Sequence, residues 1–156
     1  MKRPNEAITA FESLRQRFPH ARLWVIGDGP LYPRLRGTIR GGVEFLGRLD
    51  RESLLERLAR AHVLVATSIR EGWGLNVSEA AACGTPSIGY RVPGLVDSIP
   101  ASGGAVVDQH PQALARALAG FFEGSLPLTP RISTVPWPEV ADAVDRRLTD
   151  LVRSSH

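Results

Sequence analysis

The residues that could do chemistry are concentrated in one stretch, Ser68-Ile69-Arg70-Glu71-Gly72-Trp73-Gly74-Leu75-Asn76-Val77-Ser78-Glu79-Ala80. An apolar run stops just before it, a glycine-punctuated loop follows, and helical spacing opens near Leu75. A loop feeding a helix in this way presents unpaired backbone N–H groups and the positive end of the helix dipole, which together attract an anion. Gly72 and Gly74 permit the close backbone approach that a phosphate requires. Glu71 lies in the loop, and Glu79, eight residues on, lies one turn into the helix. Two carboxylates beside an anion site cannot both serve the anion. The task open to them is to accept hydrogen bonds from hydroxyls, as carboxylates do on sugars and riboses. A solvated helix carboxylate and an ordinary turn residue would account for the same letters, and chemistry alone leaves the two readings level.

Other candidates are weaker. Gly27-Asp28-Gly29-Pro30 follows an apolar run and begins like the dinucleotide pattern G-x-G-x-x-G. Tyr32 stands where the third glycine belongs and Pro30 interrupts the turn, so a simple tight turn is the favoured reading. The single cysteine excludes an intramolecular disulfide and a Cys-based metal cage. Cys83, beside Gly84, reads as small and buried. His20, His62, His110 and His156 read as structural or solvated, and no cluster with metal-ligand spacing stands out.

Short apolar runs and helical patterns alternate along the chain. Leu23–Ile26, Val43–Leu46, Val63–Ala66, Pro86–Tyr90 and Ala105–Val107 read as strands. Their runs are apolar throughout rather than alternating, which suits parallel strands covered on both faces. Helices are predicted over about Asn5 to Arg17, through Leu54, Leu55, Leu58 and Ala61 with Asp50 as N-cap, over Leu75 to Ala82, and from Pro111 to about Phe122. A last amphipathic helix is predicted over about Trp137 to Val152 after a Pro- and Ser-rich connection. The alternation specifies an α/β, doubly wound, Rossmann-like parallel sheet. In such a sheet ligands bind beyond the carboxyl ends of the strands, where the Glu71 loop falls.

The 156 residues suit one domain, spanning residues 1–156, with a real hydrophobic core. The net charge of +3 is spread along the chain without a basic run, so nucleic acid is not an expected partner. No apolar run approaches the roughly 20 residues that cross a bilayer, and the N-terminus is polar. The expected setting is cytoplasmic.

Glu71-Gly72-Trp73-Gly74-Leu75, Glu79-Ala80 and Cys83-Gly84-Thr85-Pro86 together resemble the E-x7-E region of the family 4 glycosyltransferases, retaining enzymes of GT-B fold. The likeness extends from Lys2 with Ala7, Ile8, Ala10 and Phe11, through Val25–Pro30 and Val43–Arg48, to Gly94–Ile99 and Trp137. It implies that this chain is the C-terminal half of such an enzyme and binds a nucleotide-diphosphate sugar. By the resemblance, Glu79 bonds the ribose hydroxyls and Glu71, the candidate catalytic residue, contacts the transferred sugar. Backbone amides near Gly72, Gly74 and Leu75 hold the distal phosphate, and Lys2 neutralises the leaving diphosphate. Gly27 and Gly29 form a neighbouring turn, Phe45 lies near the nucleobase, and Arg48 is a lesser candidate. No metal or other cofactor is expected.

The resemblance also implies what lies elsewhere. The acceptor, a sugar or a lipid-linked sugar, belongs to an N-terminal domain, and the complete enzyme would associate peripherally with membranes. The first strand of the family's C-terminal half is expected to be missing here, which would leave Leu23–Ile26 and Val63–Ala66 flanking a gap, and the chain alone inactive. Two rival readings are a non-catalytic nucleotide-sugar-binding or regulatory module and a nicotinamide-dependent oxidoreductase. The broken glycine pattern and the lack of a catalytic Tyr-Lys or His arrangement count against the second.

Overall fold

A computed structural model describes residues 2–37 and 41–132. The helix predicted at about Trp137 to Val152 lies outside the described residues. The elements run α1 (Pro4–Arg15), β1 (Leu23–Ile26), α2 (Tyr32–Arg36), β2 (Val43–Gly47), α3 (Arg51–Arg60), β3 (Leu64–Ala66), α4 (Leu75–Ala82), β4 (Ser87–Tyr90), α5 (Leu95–Ala101), β5 (Ala105–Val107) and α6 (Pro111–Phe122). Every strand pair is parallel. The strands form a two-stranded sheet, β1–β2, and a three-stranded sheet in the order β3–β4–β5.

This order is that of a doubly wound fold with its central position open. β1 bonds β2 and β3 bonds β4, but among the described residues β1 and β3 do not pair with each other. β1 and β3 thus lie at facing edges of two separate sheets, in agreement with the expectation that they do not pair.

Two helical layers cover the strands. α1 packs along α6, which also rests on β4 and β5, while α3, α4 and α5 pack side by side on the other layer. Ala10, Phe11 and Leu14 of α1 meet Leu114, Ala115, Leu118 and Ala119 of α6 within one buried core. Each leucine buried there contributes about 1.5–3 kcal/mol of transfer free energy. The rings of Phe18 and Phe122 meet at a tilt of 44°, with centroids 5.5 Å apart, where these helices end, beside an Arg17–Glu123 ion pair at 2.7 Å. Gly89 lets α5 approach the sheet: a Cβ there would stand 2.7 Å from both the Ala66 carbonyl oxygen and Ile99 Cδ1.

Local signals explain the helix starts. Asp50 caps α3 by accepting from the Ser53 N–H at 2.8 Å, and that bond holds its carboxyl below the ordinary value. At the other end of α3, the buried Thr85 hydroxyl donates to the Leu58 and Ala61 carbonyls, at 2.5 and 3.2 Å. α2 was not anticipated from the sequence, because five residues are too few to show a period. Its Tyr32 sets its ring edge-on to Phe45, with centroids 5.9 Å apart.

Candidate functional site

The loop after β3 is held from several sides. Thr67 and Ser68, both buried, continue the strand past Ala66. Thr67 Oγ1 donates to the Arg3 carbonyl at 2.9 Å, which fixes the start of α1, and with it Lys2, beside the carboxyl end of β3. Ser68 Oγ, in a residue only 4% exposed, donates to Glu71 Oε1 at 2.6 Å and so sets the direction of that carboxylate. The Glu71 N–H donates to the Pro93 carbonyl at 3.1 Å. Gly94, with φ +82°, lies directly against the backbone of Glu71 and Gly72, where any Cβ would collide. The loop after β4 thus braces the loop after β3.

Gly74 is the hinge between loop and helix. Its φ of +76° favours glycine, and a Cβ would stand 3.0 Å from Leu95 Cδ2 and 3.2 Å from Ser98 Oγ. No side chain caps α4, so its first N–H groups remain available to an acceptor from outside. Leu75, at the first helical position, is 74% exposed, and Gly72 is exposed beside it. Trp73 is half-exposed, with its indole Nε1–H bonded to Ser78 Oγ at 3.1 Å.

Glu79 emerges on α4 half-buried, and its Oε1 accepts from Arg51 Nη1 at 3.1 Å. Arg51 is the first residue of α3, which follows the other sheet. At the ends of β1 and β2, the Gly27 N–H donates to the Gly47 carbonyl at 2.7 Å, tying the two turns together. Gly27 and Gly29 are open, with nothing within 4 Å of an added Cβ. Phe45 is half-buried, while Arg48 and Lys2 are exposed.

The candidates thus fall into two groups along the carboxyl ends of the strands. Lys2, Glu71, Gly72, Gly74 and Leu75 gather around β3, and Gly27, Gly29, Phe45 and Arg48 around β1 and β2. The Arg51–Glu79 pair joins the helices that follow β2 and β3. Sequence reasoning gave no individual role to Ser68 or Gly94 and did not single out Arg51. Ser68 stands three residues before Glu71, a spacing at which a loop hydroxyl reaches a carboxylate, whereas nothing in the letters marks Arg51, 28 residues from its partner. Cys83 is half-buried rather than buried, because it ends α4 at the surface next to the exposed Gly84.

Behind the loop, Arg3 and Glu6 form an ion pair at 2.9 Å. Burial pushes the nearby Tyr90 phenol well above its ordinary value, and the Glu6 carboxylate adds to the rise. A depression lined by Arg15, His20, Arg22 and Glu44 lies at the amino ends of β1 and β2 and holds none of the candidates. Among the described residues no group of three or more His, Cys, Asp or Glu is placed to hold a metal, and no helix is long and apolar enough to cross a membrane.

Comparison with known proteins identifies the family and the fold. Residues 1–132 match the family described as Glycosyl transferases group 1. Over 119 residues the chain is 36% identical to the GDP-mannose-dependent alpha-(1-6)-phosphatidylinositol dimannoside mannosyltransferase of Mycobacterium tuberculosis, covering 75% of this chain and 31% of that protein. Among solved structures it is similar to sucrose-phosphate synthase from Thermosynechococcus elongatus, with a TM-score of 0.64 and 30% identity over 78% of this chain and 34% of that one. It also shares its fold with the pneumococcal O-GlcNAc transferase GtfA, solved with UDP and GlcNAc, at a TM-score of 0.69 and 22% identity over 80% of this chain and 27% of that one. The chain spans about a third of the length of the relatives it matches. A parallel, doubly wound sheet with its loops gathered at the carboxyl edge, matched along nearly all its described length, leads to one assignment: the chain belongs to the group 1 glycosyl transferases and has the fold of the C-terminal half of a GT-B enzyme.

Proposed function

We propose that this chain is the donor-binding half of a retaining glycosyltransferase that draws its sugar from a nucleotide-diphosphate sugar. The observation that carries the reading is the uncapped start of α4, set between Glu71, aimed by Ser68, and Glu79, aimed by Arg51. Amides near Gly74 and Leu75 would receive the distal phosphate, and Glu79 the ribose hydroxyls. Glu71 would bond hydroxyls of the sugar. As the bond from the anomeric carbon to the phosphate oxygen breaks, the diphosphate leaves with the electron pair. Lys2 and the helix amides meet the charge that develops there, where electrostatic stabilisation is most effective, and no metal enters this scheme. Phe45 and the turns at Gly27 and Gly29 would face the nucleobase, with Arg48 at the margin.

The acceptor would be a sugar or lipid-linked sugar held by a second domain, in a cytoplasmic enzyme that associates peripherally with membranes. The phosphatidylinositol dimannoside named for the mycobacterial relative supports a lipid-linked acceptor, and that relative's GDP-mannose supports a nucleotide-sugar donor. In this reading the chain binds donor but does not transfer sugar by itself. The test is calorimetric titration of the chain with UDP-, GDP- and ADP-sugars, with NAD as a control. Saturable binding of one sugar nucleotide and none of NAD is expected. Preference for NAD would overturn the reading.

A further inference from the structure

Arg51 Nη1 donates to Glu79 Oε1 at 3.1 Å, although 28 residues separate them. The two come from opposite sides of the open central position, since α3 follows β2 of the two-stranded sheet and α4 follows β3 of the three-stranded one. An ion pair this exposed adds little to folding stability, because water screens the charges and two long side chains lose freedom. What it supplies is direction. The guanidinium is a planar donor, and its single contact, from Nη1 to Oε1, restrains the direction of the Glu79 carboxylate. Arg51 directly follows the N-cap Asp50, whose carboxylate accepts from the Ser53 N–H at 2.8 Å and holds the first turn of α3 in place. Among the described residues Glu79 Oε2 makes no hydrogen bond, so it keeps its lone pairs for a ligand.

We propose that Arg51 is a positioning residue. It aligns the Glu79 carboxylate for a vicinal diol and thereby couples the start of α3 to diol binding. The inference rests on the reading of Glu79 as the ribose ligand.

The test is calorimetry on the whole chain with UDP, GDP and ADP, each beside its 2′,3′-dideoxy form, using wild type, Arg51→Ala, Arg51→Lys, Glu79→Ala and the double variant. For the best-bound ribonucleotide, Glu79→Ala weakens binding by about ten- to a hundredfold. Arg51→Ala weakens it by about two- to fivefold, Arg51→Lys by less, and the double variant binds no worse than Glu79→Ala. The dideoxy form is indifferent to Arg51→Ala, and thermal unfolding of Arg51→Ala matches wild type. Loss on Glu79→Ala with none on Arg51→Ala overturns the inference and spares the reading. Equal loss on the dideoxy form makes Arg51 a direct contact to base or phosphate, and tighter binding makes it a competitor for Glu79; either overturns positioning. No effect of Glu79→Ala, or no binding of any of the three diphosphates, overturns the reading of Glu79 and the inference with it.

Discussion

The β1–β2 pair and the β3–β4–β5 sheet are made from the same material, short apolar runs closed by turns, yet they end in different surroundings. Leu23-Trp24-Val25-Ile26 is the more apolar run, but none of its residues is fully buried and Ile26 is 37% exposed. Ser87-Ile88-Gly89-Tyr90 holds a serine and a glycine and is buried throughout. The difference lies in neighbours. β4 has a strand on each side and helices α5 and α6 over it, whereas among the described residues β1 pairs with β2 alone and its other edge is unpaired. Burial of a strand is thus set by what flanks it, not by its own hydropathy. The same contrast divides the candidate site: Glu71 and Glu79 stand on the well-packed side, and Gly27, Gly29 and Arg48 on the side with less beneath them.

The largest effect should come from breaking the better-packed side. Ile88→Ala is expected to cost about 2–5 kcal/mol of stability, because a wholly buried side chain leaves a cavity. Val25→Ala on β1 should cost less than half as much, and equal losses in chemical denaturation would erase the comparison. Binding should divide in the same way. Glu79→Ala should weaken nucleoside-diphosphate affinity by about 1.5–3 kcal/mol with stability almost unchanged. Arg48→Ala should weaken it by less than about 1 kcal/mol, as an exposed charge does. Calorimetry that ranked Arg48 above Glu79 would move the weight of the site to the β1–β2 side.

A smaller effect is expected at Glu71. In an enzyme joining this chain to an acceptor-binding half, Glu71→Gln should lower the transfer rate about tenfold, or 1.4 kcal/mol of barrier. Affinity for the free nucleoside diphosphate, which lacks the sugar, should change less. Equal losses in both would make Glu71 a structural part of the loop. The smallest difference is one of local opening: amides of β1 should exchange faster than those of β4 in native-state hydrogen exchange, since few packed neighbours hold them closed. The unpaired edges also predict self-association of the chain, visible by light scattering. A monodisperse monomer with a sharp, reversible unfolding transition would show that the open position carries no such cost.

Much of this was legible in the letters. The strand runs fall at or within a residue of their observed places, and Leu75–Ala82, Ala105–Val107 and Pro111–Phe122 appear as read, because periodicity, glycine stops and prolines at helix starts act over a few residues. Asp50 was recognisable as a cap for the same reason. The short α2 was not, and Cys83 looked more enclosed than it is, since neither length nor hydropathy reports how many layers cover a residue.

What the sequence determined by itself was the alternation of strand and helix, the parallel class of sheet, and the glycine loop and following helix that carry Glu71 and Glu79, all products of local spacing. What only the tertiary structure decided was which groups meet: Gly94 beneath Glu71, Thr67 on the Arg3 carbonyl, and Arg51 on Glu79. Those contacts join residues 23 to 64 positions apart. Between groups so distant in the chain, the packing of whole helices and sheets sets the separation, and no local propensity carries that information.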